Sequence, residues 1–194
     1  MRVSREQARE NRQNILWAAA RLFRERGIDA AGVDDITRAA GLTHGGFYGH
    51  FDSKQSLTAE AVAQALSMSS ESWRNTSRSS RPKQAFGVLI SKYLSPAHRD
   101  SPGRGCPLAA LGTEVARQPK TVRRSFTRGL ERMIETLSGL LPGPKRSERD
   151  AQAVATVATL VGSIVLARAV DDLELSDLIL KATASELKIR FAAR

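Results

Sequence analysis

Cysteine is almost missing: the 194-residue chain has one, Cys106. No intrachain disulfide can form, which excludes a disulfide-stapled secreted fold and fits a reducing compartment. Histidine is nearly as scarce, with His44, His50 and His98 only. No CxxC pair, HExxH run or Walker-type glycine loop occurs. Without these there is no metal centre, no cofactor fingerprint and no nucleophile–base pair on which to build an enzyme. Aromatic residues make up only 5% of the chain. No run alternates apolar and polar residues as a strand would. The opening MRVSREQARENRQ has no apolar stretch behind its charges, so no signal peptide is expected and the expected location is cytoplasmic. Long apolar runs are also lacking, except Ala151 to Val170. That run is long enough to span a bilayer. However, Gln152, Thr156, Thr159, Gly162, Ser163 and Arg168 interrupt it, and an intramembrane Arg is costly. A buried or interface helix is expected instead, with no membrane partner.

What the chain does have is Ala, Leu and Arg, which favour helix, in a soluble balance of 41% hydrophobic and 26% charged residues. Its net charge of +10 points to a polyanionic partner such as nucleic acid. The charge is unevenly spread. Residues 1–57 carry nine Lys/Arg against seven Asp/Glu, a net of +2, and the remaining 137 carry 21 against 13, a net of +8. Charge alone therefore locates no DNA-binding face, and a solvated basic surface explains it equally well.

Helical periodicity runs through almost every segment, so the expected fold class is all-α with about nine helices. The first is expected over about Ser4–Arg26, ended by Gly27. Short helices follow at about Val33–Ala40 and Thr43–Phe51, and a fourth starts near Lys54 behind Asp52 or Ser53. The Ser/Arg-rich stretch Ser69–Pro82 reads as a frayed helix end and a connection. Further helices are expected over about Lys83–Leu94, from Pro107 to about Arg117 and from Pro119 to the LPGP break at 141–144. The last two are the apolar helix to about Ala169 and one from about Glu174 to the end. The loop SPAHRDSPGRGCP separates the fifth and sixth. Leu175, Leu178, Ile179, Ala182 and Ile189 form the expected stripe of the last helix.

The informative run is VDDITRAAGLTHGGFYGHFDSKQSL, from Val33 to Leu57. Two short helices joined by a glycine-containing turn are the helix-turn-helix pattern, here at about 33–52. Gly41 can take the left-handed conformation the turn requires. Ala39 and Ala40 are small enough for a close crossing, and Leu42, Phe47 and Phe51 supply an apolar plug. The second helix, THGGFYGH, carries three glycines and is a poor helix former. Small residues at its start let the backbone approach another surface, and its free N–H groups suit phosphate. Thr43 and His44 stand where a recognition helix presents side chains to base edges. Tyr48, His50 and Lys54 are donors spaced to reach a phosphate backbone. Taken singly, His44 and His50 also read as surface histidines and Tyr48 as a core residue.

This run resembles the DNA-binding domain of the TetR family, the tetracycline-repressor-type regulators. The family pattern is an apolar-Ala-x-x-Ala-Gly helix, a turn, a short helix ending in Tyr-x-His-Phe, then x-x-Lys-x-x-Leu. Here it reads ITRAAGLTHGGFYGHFDSKQSL, and the upstream ILWAAARLFRERGIDAAGVDDI resembles the family's first helix. The match covers about the first 60 residues. The resemblance implies a helix-turn-helix domain at 1–57 and a ligand-binding and dimerisation domain at 58–194. It implies that Thr43, His44, Gly45 and Gly46 face bases and that Tyr48, His50 and Lys54 clamp phosphates. Asp34 and Arg38 would approach the groove edge. Gly32 departs from the usual Ser or Thr cap; it costs only tenths of a kcal/mol but offers no side-chain oxygen. Gly49 departs from the larger residue that is common there.

For the rest of the chain the resemblance implies a small-molecule inducer, repression from a palindromic operator on double-stranded DNA, and a homodimer. The last two helices are the expected dimer interface, because an eighth helix apolar nearly all round needs more cover than a monomer of this size provides. Simple internal core is the alternative. Candidate pocket residues are Phe86, Leu89, Ile90 and Tyr93 on the fifth helix, and Leu111, Phe126, Leu130 and Ile164 beyond it; such stripes also read as plain core. Cys106 sits at an expected helix N-cap beside Arg104, where dipole and cation favour a thiolate. It reads either as a sensor of oxidants and electrophiles or as a small buried hydrophobe. The competing function is a non-specific basic nucleic-acid-binding protein, whose binding ignores sequence and falls steeply with salt.

Overall fold

The computed structural model describes residues 4–192. They form ten α-helices and, among the described residues, no strand. Helix α1 (Arg5–Arg26) starts where the Ser4 hydroxyl accepts from the Gln7 N–H and stops at Gly27, whose φ of +91° suits glycine. Helices α2 (Val33–Ala39) and α3 (His44–Phe47) follow, and Ser53 caps α4 (Lys54–Arg78). The α1 face of Ile15, Ala19, Leu22 and Phe23 is buried, together with Ile36 of α2, Phe47 of α3, Phe51 of the following link and Leu57 of α4. This is the small core of the N-terminal unit.

The body comprises α5 (Pro82–Tyr93), α6 (Pro96–Arg99), a 3-10 turn at Pro102–Arg104, α7 (Pro107–Val115), α8 (Lys120–Ser138), α9 (Arg146–Ala169) and α10 (Leu173–Ala192). Helix α4 is shared: it packs on α1 at one side and lies along α8 at the other. The α4–α8 approach is close because Gly129 faces Leu66; a Cβ at Gly129 would sit 2.5 Å from the Leu66 side chain. Helix α9 is long and apolar enough to cross a membrane, but it packs against α7, α8 and α10 and buries Ala153, Val157, Leu160, Ile164 and Ala167.

Three elements differ from the sequence expectation. The stretch from Ser69 is helical as far as Arg78, because Ser70 and Trp73 are buried and Trp73 packs edge-on against Tyr93; packing overrides the polar composition. The expected loop before Pro107 contains α6, capped by Ser95, which makes ten helices rather than nine. In α10 the buried residues are Ser176, Leu180 and Leu187, while Leu175, Leu178 and Ile189 point to solvent and Ile179 is half-buried. Helix α4 also runs through the expected boundary at 57/58.

Candidate functional site

The α2–α3 unit is built around its turn. Gly41 has φ +73°, and the Leu42 N–H donates to the Thr37 carbonyl at 2.9 Å, closing the connection. Phe47 is fully buried and stacks on Phe51 at 5.8 Å. That anchor leaves the rest of α3 outside. Thr43, His44 and Gly45 are exposed, Gly46 is half-buried and Tyr48 is 63% exposed. Tyr48 is therefore not a core residue. Regular helix ends at Phe47 rather than Phe51, as three glycines in eight residues favour, although the Phe51 N–H still bonds the Phe47 carbonyl at 3.0 Å.

The surrounding polar groups are partly engaged. Nδ1 of His44 contacts the Asp34 carboxylate, and the His44 ring meets Tyr48 edge-on at 5.6 Å. Arg38 is exposed and reaches Asp35 at 3.3 Å. Lys54 Nζ donates to the Asp29 carbonyl at 3.2 Å, which holds the start of α4 against the α1–α2 link. His50 is half-buried at the end of the α3 turn. All nine sequence-assigned DNA residues thus lie on or beside α2, α3 and the start of α4. Asp34, Arg38, Thr43, His44, Gly45 and Tyr48 are exposed there, and Gly46, His50 and Lys54 are partly exposed. Gly32 is the N-cap of α2 and, as expected, gives no side-chain hydrogen bond.

A cleft of about 1130 Å³ lies between this unit and the body. Its walls come from α1, the end of α2, the second half of α4, α5 and the segment from Ser95 to Cys106. Of the residues singled out from the sequence, Leu89, Tyr93 and Cys106 line it. The other pocket candidates do not. Phe86, Ile90, Leu111 and Ile164 are buried in the core, and Phe126 and Leu130 pack half-buried against it. Their stripes face neighbouring helices rather than a void.

Cys106 is the N-cap of α7 and is buried. Burial pushes its thiol above the ordinary range; the Tyr93 hydroxyl, the Leu108 and Ala109 N–H groups and Arg168 pull the other way and lose. Of the two readings of Cys106, burial favours the small buried hydrophobe, and the attending cation is Arg168 rather than the exposed Arg104. Burial also pushes the Tyr93 phenol up. His98 accepts from the Cys106 N–H through Nε2 at 2.8 Å and donates from Nδ1 to the Tyr93 carbonyl at 2.6 Å. Burial lowers its pKa, so the ring is neutral with one tautomer fixed. Arg168 donates to the carbonyls of His98 and Arg99, both at 2.9 Å.

Several residues that matter were missed from sequence. Glu114 on α7 accepts from the Ile28 N–H at 2.6 Å, tying the body to the α1–α2 link. A lone carboxylate in the apolar run PLAALGTEV was the available signal. Trp17, Arg21 and Arg24 on α1 line the cleft, but nothing local distinguishes them from other helical surface residues.

An exposed, glycine-rich second helix held by one buried phenylalanine is the arrangement of a helix-turn-helix, here mounted on an all-helical body. Residues 15–68 match the family model described as bacterial regulatory proteins, tetR family, so the N-terminal unit is similar to the DNA-binding part of that family. Among curated relatives, the HTH-type transcriptional regulator AcrR of Shigella flexneri is 41% identical over 59 residues, covering 30% of this chain and 27% of the relative. The HTH-type transcriptional repressor DhaR of Mycobacterium sp. (strain GP1) is 26% identical over 125 residues, covering 64% and 62%. The chain therefore spans less than two thirds of the length of these relatives. The crystal structure of reduced E. coli NemR matches with a TM-score of 0.78 at 18% identity, over 92% of this chain and 95% of that one. A TetR regulator from Legionella pneumophila matches at 0.78 and 19% identity, over 98% and 100%. These likenesses carry the body as well as the N-terminal unit, at the level of fold.

Proposed function

We propose that the protein is a cytoplasmic transcriptional repressor that binds a palindromic operator as a homodimer and leaves it when a ligand occupies the body. One observation carries the DNA-binding part: the tip from Thr43 to Gly45, with Tyr48, stands in solvent on a fully buried Phe47. Side chains and backbone at that tip have room to enter a major groove, with Thr43, His44 and the two glycines at the bases. Tyr48, His50 and Lys54 flank it as phosphate donors, and Asp34 and Arg38 stand at the groove edge. The dimer reading is supported by apolar side chains left bare on adjacent helices, including Val154, Leu166, Leu173, Leu178 and Ile189. A second copy of α9 and α10 would cover them as a four-helix interface. Two recognition helices would then sit about 34–36 Å apart, one turn of duplex.

Release is a population shift: ligand favours a dimer geometry in which the two helices no longer match successive grooves. In this reading Cys106 is a buried structural thiol, since burial holds it protonated. The experiment is selection of bound fragments from the source genome, followed by competition. A selected palindromic fragment should compete well below the concentration of random DNA needed. Equal competition at every salt concentration would support the non-specific basic binder and defeat the repressor.

A further inference from the structure

The cleft between the N-terminal unit and the body has an unusual charge balance. Four cationic side chains line it, Arg21, Arg24, Lys92 and Arg104, and no Asp or Glu does. Arg21 is matched by Glu25 at 3.1 Å, and Lys92 donates to Thr76 at 3.3 Å. Arg24 and Arg104 have no ion-pair partner among the described residues, and Arg24 Nε is buried with no hydrogen-bond partner. Glu25, the carboxylate that acts on Arg24, is already bonded to Arg21. The Tyr93 hydroxyl in the same wall is buried beside the Cys106 thiol. Arg24 is a partly buried guanidinium with no ion pair, which is costly, whereas Arg104 is exposed. An entering anion offsets the cost at Arg24 with charge-assisted hydrogen bonds and can be met by Arg104 from the solvent side. The apolar side of the cleft is aromatic. Trp73 and Tyr93 pack edge-on at 5.7 Å, and Trp17 remains 49% exposed.

We propose that this cleft binds an organic anion bearing an aromatic ring system, its carboxylate held by Arg24 and Arg104 and its rings lying against Trp17 and Trp73. The volume of about 1130 Å³ admits several fused or linked rings. Arg's planar fork suits a carboxylate, and its delocalised cation also stacks on aromatic faces. The cleft is walled by Ala39, Ala40 and Gly41 of the helix-turn-helix as well as by α4 and α5. Its occupant therefore touches both the reading unit and the body. This inference rests on the ligand-responsive reading above, which it deepens.

The test uses the full-length protein and three probes of one shape: 2-naphthoate, the neutral 2-naphthamide and the cationic 2-naphthylmethylamine. Calorimetry gives affinity. Intrinsic fluorescence reports the place, because the chain's two tryptophans, Trp17 and Trp73, both line this cleft. Naphthoate is expected to bind about tenfold or more tighter than the amide, the scale of one charge-assisted contact, and the amine weakest. Arg24→Met should erase the preference for naphthoate, and Arg24→Lys should keep part of it. Arg104→Met, at an exposed position, should weaken naphthoate without threatening the fold. Equal or better binding of the amide or amine, an unchanged preference in both Met variants, or no response to any probe overturns the proposal. Operator binding measured alongside separates the two readings. If the neutral probe binds equally and releases DNA, the anion site falls and ligand control stands. If naphthoate binds as proposed but DNA stays bound, the site stands and it is not the inducer site.

Discussion

Tyr48 and Phe47 are adjacent residues with opposite environments, one 63% exposed and the other fully buried. Their ring centroids lie 5.2 Å apart, edge to face. The buried ring fixes the backbone, so the exposed one is presented at a defined point without strand or disulfide support. Tyr48→Phe removes only the hydroxyl. It should lower operator affinity by about 1–2 kcal/mol, the loss of one bond to a charged phosphate oxygen, with no change in melting temperature; fluorescence anisotropy and a thermal melt read the two effects. A comparable fall in melting temperature would mean that Tyr48 supports the fold instead. Cys106 makes the complementary point. Its position at a helix N-terminus was visible in the sequence, but the depth of burial, which decides its protonation, was not.

At the level of elements, two packing features join the Glu114 bond in setting how the N-terminal unit sits on the body. One is the α4–α8 crossing, where Gly129 lets Leu66 approach. Both sides are buried, so Gly129→Ala should destabilise the fold by about 1–3 kcal/mol through overpacking, measured as the shift in urea midpoint. An unchanged midpoint would mean that the helices slide apart freely. The other is the segment from Ser95 to Cys106, pinned by neutral His98 between Tyr93 and Cys106 and by Arg168 on its carbonyls. Burial lowers the His98 pKa below the ordinary value of 6.5. The unfolded chain thus takes up the proton first, and this stabilisation is present above the unfolded value and lost as pH falls through the folded one. Melting temperature should therefore drop between about pH 7 and about pH 5, and His98→Gln should flatten that part of the profile. A histidine-independent profile would remove this account of the segment.

For the whole molecule, the unanswered question in a single chain is what covers α9 and α10. Leu178 is 60% exposed and Leu166 57%, on helices that also leave Val154, Leu173 and Ile189 in solvent. A soluble monomer gains nothing from presenting both. Leu178→Arg should shift the protein to monomers in sedimentation velocity and abolish tight operator binding, while circular dichroism stays unchanged. A dimer that survives this substitution would place the two-fold axis elsewhere. Glu114 and Lys54 then acquire a wider meaning, since each joins the α1–α2 link to a different packed helix. In the proposed release these contacts are the direct links between the body and the reading unit.

The sequence by itself determined the helix-turn-helix. Gly41, the Ala39–Ala40 pair, Leu42, Phe47 and Phe51 act within some twelve positions of one another, and contacts that short follow from local geometry and the period of a helix. For the same reason Gly27 ended α1 and Ser53 opened α4. The body was legible only as a series of helices. Which of their faces turn inward is set by partners far along the chain, so α10 buried Ser176, Leu180 and Leu187 in place of the expected stripe. Tertiary structure also decided that the space lies between α1, α4 and α5 and not among Phe86, Ile90, Leu111 and Ile164. A cavity is what packing leaves unfilled, and that depends on how whole helices cross rather than on any residue's own preference.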